Sequence, residues 1–440
     1  MKFIDLFAGL GGFHFALTKM GHECVFASEK KENLAKLYKE NYNIEVNRDI
    51  RLISPDKIPS HEILCAGFPC QPFSKAGKQK GLKDENNGSF FDILAEILNY
   101  HKPKYFILEN VRNLESHDDF KTWDYISLRL EDLGYSIDKK IFSPHQFNIP
   151  QHRERLFIVG CLDGLNHFKW PETSTLTKST KDFLRQAHKT RLLEEEKKHV
   201  LNVWQEFLDI FPKKTKIPGF PIWAMEFGAD YPYETSTPYS SSNWALGKSK
   251  GSFGVPLKNM TREDKFKNLP SYARTKQEVF PTWKQNYIRK NREFYQLHKT
   301  NIDSVIKKIK KFNNSSWQKL EWNCGDSRRN IKDYIIQFRA SGVRIKKPDI
   351  FPSLVTVSTQ VPIIGWENRY ISPEEGAALQ SMEGIKLPEN LSTSFSALGN
   401  AVNAKIVKLI AEKLIINQPC DHRNNLTSNI ILSEHQHIDN

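Results

Sequence analysis

Asp5-Leu6-Phe7-Ala8-Gly9-Leu10-Gly11-Gly12-Phe13 lies between a short apolar run, residues 2–7, and a helix-like stretch, residues 13–19. A strand that turns through glycines into a helix lets a nucleotide-like ligand approach the backbone closely; taken alone, the turn fits any dinucleotide or adenosine binder. Outward from it the alternation continues to about residue 164. Residues 23–28, 62–66, 104–108 and 156–161 read as strands, and residues 33–40, 91–99 and 123–133 as helices. Strands alternating with helices make a parallel sheet covered on its faces, so the expectation is a Rossmann-like α/β domain.

After residue 164 the alternation stops and the chain becomes rich in Lys, aromatic residues, Pro and Ser, which marks a domain boundary. Leu193, Val200, Trp204, Phe207 and Phe211 recur at helical spacing, and residues 283–312 form a basic, aromatic-bearing helical pattern; ordinary core packing accounts for both stripes. Residues 238–254 are a Ser/Gly/Lys loop region. Residues 372–416 return to helical periodicity, and residues 424–440 are polar and read as disordered. With 440 residues, two lobes are expected, because a single core stops growing well below this length. The division is 1–164, completed by a C-terminal helix near 395–418, then 165–394, with a polar tail over 419–440.

The 64 basic and 51 acidic side chains leave a formal charge of +13, an excess that suits work against phosphate or anionic lipid. A basic protein without such a partner stays open on charge alone. Lipid is disfavoured, because no stretch approaches the roughly 18 to 20 apolar residues of a membrane helix. The first twenty residues contain Asp5 and a glycine break where a signal peptide needs a continuous apolar run. Six cysteines (Cys24, Cys65, Cys70, Cys161, Cys324, Cys420) form no CxxC pair or zinc-like spacing, so no metal is expected and a reduced, cytoplasmic interior fits.

Glu29 closes the second strand, where an acid can bind ribose hydroxyls, and Asp49 sits beyond a third segment, where a carboxylate can accept from an adenine amino group. Each is individually as well explained as a solvated loop acid. Gly67-Phe68-Pro69-Cys70-Gln71-Pro72-Phe73-Ser74 is more specific: prolines restrict φ on both sides of the cysteine, giving a stiff loop just past a strand, at the edge where α/β proteins bind ligands. A cysteine held there is a candidate nucleophile. Glu109-Asn110-Val111 ends the strand over 104–108, so its carboxyl projects toward the same cleft. In Gln151-His152-Arg153-Glu154-Arg155, Arg153 and Arg155 are two apart and share one face, either as a surface salt-bridge patch or as a site for an anion or carbonyl.

In that order, the blocks Asp5 to Phe13, Pro69 to Ser74, Glu109 to Val111, Gln151 to Arg155, and Gly399-Asn400-Ala401-Val402 resemble the motifs of the DNA (cytosine-5)-methyltransferases of bacterial restriction-modification systems. The resemblance implies a large S-adenosyl-L-methionine-dependent catalytic domain, a smaller inserted target-recognition domain with a hinge, and a last helix packing back on the first domain. It implies Cys70 as nucleophile with Glu109, Arg153 and Arg155 beside it. Phe7, Gly9, Leu10, Gly11, Glu29, Asp49, Ile50, Pro69, Phe90, Asn400, Ala401 and Val402 would hold the cofactor. The family's Gly-Asn-Ser-Val reads Gly399-Asn400-Ala401-Val402 here, which leaves a backbone contact but no hydroxyl at position 401. Thr356-Val357 matches the Thr-Leu-type doublet of the recognition region.

The resemblance further implies a methyl group moved to carbon 5 of a cytosine that is flipped out of duplex DNA, at a cost of a few kcal/mol. Gln71, Ser74, Lys75, Lys78, Lys80 and Thr356 would contact DNA; the three lysines belong to a Lys- and Gly-rich loop over 75–88 suited to closing on it. The expected state is a monomer, with a cognate restriction endonuclease as functional partner and no stable complex between them. Two alternatives stay open: a tRNA cytosine-5 methyltransferase, which shares the Pro-Cys-Gln and Glu-Asn-Val blocks, and a catalytically silent DNA-binding relative. The spacing of the glycine turn departs from the GxGxxG of nicotinamide oxidoreductases.

Overall fold

The computed structural model describes residues 1–69, 90–175, 177–184 and 190–415. In the first lobe the chain runs β1 (Lys2–Leu6), α1 (Gly12–Thr18), β2 (Glu23–Ser28), α2 (Glu32–Tyr42), β3 (Val46–Asn47), β4 (Ile63–Gly67), α3 (Phe90–His101), β5 (Tyr105–Val111), α4 (Lys121–Asp132), β6 (Ser136–Phe142), β7 (Gln151–His152) and β8 (Arg155–Cys161). Seven of these strands form one sheet in the order β3-β2-β1-β4-β5-β8-β6. Phe3 through Leu6, Ile63 through Ala66 and Tyr105 through Leu108 are buried on both faces, which is why these strands appear in the sequence as unbroken apolar runs.

β1 to β5 pair in parallel, whereas β8 is antiparallel to both β5 and β6, which corrects the expectation of a wholly parallel sheet. A parallel return needs a crossover of about a dozen residues or more, usually a helix. Between β6 and β8 the chain makes only a 3-10 turn, Pro144–Phe147, and the short β7. The chain leaves β1 for β2 on one side and reaches β4 on the other, so a topological switch point lies at the carboxyl ends of β1 and β4, where open α/β sheets bind ligands.

The second lobe carries a six-stranded sheet ordered Arg369–Tyr370, Ile363–Ile364, Ile335–Arg339, Gly342–Lys346, Lys319–Asn323, Ile222–Trp223. The helix Glu195–Asp209 buries Val200, Trp204 and Phe207 of the stripe visible in the sequence, with Val203 beside them. The chain makes contact with the first lobe again at Phe351–Pro352, which pairs with β7. Three helices follow: Pro373–Leu379, Leu391–Asn400 and Ala404–Leu414. Ile406, Val407, Ile410 and Leu414 of the last share one core with Phe13, Ala16 and Leu17 of α1. The expected tail over 419–440 lies outside the described residues. Among the described residues no helix is long and apolar enough to cross a membrane.

Candidate active site

The parallel strands bring their carboxyl ends to one edge, and the site is built from the loops that leave them. Phe7 leaves β1 in the left-handed region, φ 56°, a conformation that a bulky side chain holds only when its surroundings enforce it. Ala8 N–H donates to the Ser28 carbonyl at 2.9 Å, pinning the turn to β2. Gly9 N–H donates to Glu29 Oε2 at 2.9 Å and Lys31 N–H to Glu29 Oε1 at 2.8 Å. Backbone donors thus fix the buried Glu29 carboxylate, and each oxygen keeps further acceptor capacity for a ligand hydroxyl.

Asp49 opens the 3-10 turn Ile50–Leu52 and receives the Arg51 fork, Nε at 2.9 Å and Nη2 at 2.6 Å; these hydrogen bonds hold its carboxyl down to about 2. Phe90, at the start of α3, meets the Phe7 ring edge-on at 5.3 Å. On the other side of the switch point, Gly67 pairs with Glu109 across β4 and β5, and Asn110 Nδ2 donates to the Phe68 carbonyl at 2.9 Å. That bond ties the segment leading to residue 70 to the strand end that carries Glu109. Glu109 is 9% exposed, and its Oε1 lies 2.9 Å from Arg155 Nε. Burial raises the Glu109 carboxyl above its ordinary value, against the pull of Arg155 and Arg153.

One cavity of about 360 Å³ is lined by Phe7, Gly9, Glu29, Asp49, Ile50, Pro69 and Phe90 together with Glu109, Arg153, Arg155 and Asn400. The structure therefore brings together most of the residues expected for cofactor and chemistry. Four expected cofactor residues do not line it. Leu10 is fully buried in the core, and Gly11 lies under the Tyr42 ring, whose hydroxyl donates to the Leu10 and Gly11 carbonyls at 3.0 Å each. Ala401 and Val402 are buried too, because the chain turns inward after Asn400 to start the last helix.

Arg153, expected beside the reacting groups, does line the cavity, but both of its Nη atoms are engaged elsewhere. Its Nη1 donates to Ser353 Oγ (3.2 Å) and the Leu354 carbonyl (3.0 Å), and its Nη2 to the Gly399 (2.8 Å) and Ala401 (3.0 Å) carbonyls. These donors are spent on joining three stretches of chain, and the side chain is 3% exposed. Burial, and secondarily Arg155, lowers its pKa to about 9. Thr356 is exposed and does not line the cavity, although a Cβ on the cavity-lining Gly399 would come within 2.9 Å of its backbone nitrogen. Cys70, Gln71, Ser74, Lys75, Lys78 and Lys80 lie outside the described residues; Pro69, bonded to Cys70, lines the cavity. Sequence reasoning quoted Asn110 but gave it no role; an amide directly after the strand-end acid was the available signal.

A family model for C-5 cytosine-specific DNA methylase matches residues 1–416. The chain belongs to this family. Type II methyltransferase M.HhaI of Haemophilus parahaemolyticus is 38% identical over 219 residues, 49% of this chain and 67% of that one. M.DsaV of Dactylococcopsis salina is 43% identical over 187 residues, and there the chain spans only about half of its relative's length, 53%. M.AluI of Cellulosimicrobium cellulans is 29% identical over 479 residues, 93% of this chain and 91% of that one.

C-5 cytosine DNA methylases take their methyl group from S-adenosyl-L-methionine, and the cavity fits that molecule. Its volume falls within the range of small-ligand sites, about 300 to 1,000 Å³. A Cβ built on Gly9 would meet nothing nearer than the Phe7 carbonyl at 3.9 Å, so the backbone there faces open space. Glu29 offers an anchored acceptor for ribose hydroxyls, Asp49 an ionised acceptor, and Phe7 with Phe90 an aromatic corner.

Proposed function

We propose that this methylase moves the methyl group to carbon 5 of a cytosine flipped out of a specific duplex DNA sequence, with Cys70 as covalent nucleophile. The observation that carries the proposal is the shared cavity: Glu109, paired with Arg155, faces the same space as Pro69, the residue bonded to Cys70. Glu29, Asp49, Phe7 and Phe90 would hold S-adenosyl-L-methionine, which supplies an electrophilic methyl carried on a sulfonium.

Carbon 5 of cytosine is a poor nucleophile until the ring's aromaticity is broken. The Cys70 sulfur forms a bond to carbon 6, the 5,6 double bond opens, and charge moves toward ring nitrogen 3. Glu109 holds a proton for that nitrogen, because burial favours its neutral form. Arg155 fixes the carboxyl through the 2.9 Å contact and adds positive charge to the cavity. Nearby cations raise the thiolate fraction of a cysteine, whose free thiol has a pKa of about 8.5. Once carbon 5 carries the methyl group, loss of its proton expels the Cys70 sulfur and restores the double bond.

Arg153 acts in this scheme as a positioning residue, holding Leu354, Gly399 and Ala401 against the cavity wall. The likeness to Type II methyltransferases supports a protective role against a cognate restriction endonuclease, with the methylase itself monomeric and cytoplasmic. Incorporation of tritiated methyl groups into duplex DNA and into tRNA, measured side by side, tests the proposal. Labelling of duplex DNA and trapping of the protein on 5-fluorocytosine duplex are expected; labelling of tRNA alone would overturn it in favour of an RNA methyltransferase, and no labelling at all in favour of a silent relative.

A further inference from the structure

The register of the second sheet sorts its side chains cleanly. Ile336, Phe338, Val343, Ile345, Leu320 and Trp322 fall on one face, and all are buried. On the opposite face Gln337, Arg344 and Glu321 form one row across three strands. Arg339, two residues on from Gln337, and Lys319, two residues before Glu321, extend that face toward the hairpin end, and Lys346 extends it the other way. Four cations therefore share a sheet face with a single carboxylate, and Glu321 is committed to Arg344 at 2.5 Å.

Ile335, Gln337 and Glu321 on this face are buried, Lys319 lies over the Trp223 and Tyr272 rings, and Arg339, Arg344, Lys319 and Lys346 are half-buried; burial depresses the pKa of Lys319, Arg339 and Lys346. One link leads from this face toward the cavity wall and another to the first lobe. Gln337 Nε2 donates to the Gln360 carbonyl at 2.9 Å, and Gln360 lies four residues beyond Thr356, whose backbone packs on the cavity-lining Gly399. Lys346, at the other end of the face, is close enough to His145 of the first lobe to act on its charge, although burial is the larger influence there.

Arg339 stands apart on this face. It is the one half-buried arginine among the described residues whose guanidinium has neither a hydrogen bond nor an ion pair. It ends its strand just before the two-residue turn Ala340-Ser341, and its cross-strand partner is Gly342, which presents no side chain against it. On one flank Ile363–Ile364 pairs only as far as Ile336, so the hairpin from Gln337 to its turn runs on past that neighbour. On the other flank Leu320 to Asn323 stays paired with Val343 to Lys346, so a third strand backs the hairpin; at its turn end a guanidinium fork would match the O6 and N7 acceptors of guanine in the major groove.

We propose that this sheet face receives the duplex and that Arg339 reads a guanine in the recognition sequence, as a specificity-determining residue. The inference rests on the reading of the chain as a duplex-DNA methyltransferase. Unlike Arg344, whose charge Glu321 already meets, Arg339 brings a free planar fork to the ligand.

The test uses the full chain with S-adenosyl-L-methionine on a randomised duplex library, and methylation-sensitive sequencing reads which sites are modified. Arg339→Ala is expected to relax one G·C position, with discrimination there falling about tenfold to a hundredfold while other positions hold. The salt dependence of DNA binding should stay as in the wild type. Arg339→Gln, whose amide suits an adenine edge, should shift preference at that same position from guanine toward adenine; it also serves if the alanine variant fails to bind the cofactor and so proves misfolded. An unchanged sequence profile in the variants overturns the proposal. So does a uniform loss of affinity with the salt slope reduced by about one, which marks a phosphate contact. A wild-type chain that modifies no duplex defeats the functional reading itself, before any variant is compared.

Discussion

Glu109→Gln separates the chemistry of the site from its binding. The carboxamide keeps the shape of the side chain, an oxygen to accept from Arg155 Nε, which now lies 2.9 Å from Oε1, and an N–H donor, but it carries no transferable proton. The Arg155 side chain is 21% exposed and retains that acceptor, so the folding cost should stay near the net worth of one hydrogen bond, about 1 kcal/mol. If Glu109 hands a proton to the pyrimidine, the variant loses a general-acid contribution of about a hundredfold to ten-thousandfold in rate. At about 1.36 kcal/mol per factor of ten, that is about 2.7 to 5.4 kcal/mol of transition-state stabilisation. Single-turnover transfer of a tritiated methyl group to a one-site duplex reads the rate, anisotropy the DNA affinity, and calorimetry the cofactor affinity. The rate should fall at least about a hundredfold, while both affinities change by less than about threefold, under 1 kcal/mol. Because burial raises the wild-type carboxyl, its neutral form persists above the ordinary carboxylate range, and activity should decline as pH rises through that raised value. The variant should lack this decline. The same group favours the folded state at low pH, and that contribution is lost as pH rises through its folded pKa. A variant that keeps its rate but loses DNA affinity would refute the proton-donor role.

Cys70→Ala should abolish methyl transfer and trapping on 5-fluorocytosine duplex while leaving cofactor affinity intact by calorimetry; full turnover would remove Cys70 from the mechanism. Glu29→Ala should weaken S-adenosyl-L-methionine binding about tenfold to a hundredfold, since hydrogen bonds to a charged group contribute about 1.5 to 3 kcal/mol, and an unchanged dissociation constant would place the ligand elsewhere. Gly11→Ala should lower the thermal midpoint and cofactor affinity together. At φ 80° a side chain costs about 1 to 2 kcal/mol, and its Cβ would lie 2.3 Å from Tyr42 Cε2, so the ring must move; a wild-type midpoint would show that the turn relaxes freely.

The elements that sequence reading found are those whose burial leaves an unmistakable pattern. β1, β4 and β5 are covered on both faces and show as apolar runs, and the turn after β1 shows as glycines. β6 went unread because it is an edge strand with an alternating burial pattern, and its Asp138, Lys139 and Lys140 break any apolar run. The direction of β8 could not be read at all, since composition records burial and not chain polarity. In the second lobe, Gly-Val-Arg-Ile-Lys carries an apolar/basic alternation, while Ile-Ile-Gln-Phe-Arg is buried along four of its five residues. What hid them was the Lys-rich, loop-like composition around them. Among site residues, Glu29, Asp49 and Glu109 were legible because Glu29 directly follows β2, Asp49 opens the short turn after β3 and Glu109 lies near the end of β5, all at the ligand-binding edge.

Arg153 shows how two arginines of one motif can sit in different surroundings. Two residues from Arg155 and in the same motif, it invites the same assignment, yet its Nη1 and Nη2 bonds reach residues 200 to 248 positions away. Those partners flank the point where the chain returns from the second lobe and the start of the last helix, so a single guanidinium joins both ends of the returning segment to the strand that carries Arg155. The wall of the cavity is consequently assembled from two distant parts of the chain, and the last helix, sharing a core with α1, holds the second part in place. The placing of Leu354, Gly399 and Ala401 on this one side chain therefore ties the returning chain to the strand that carries Arg155.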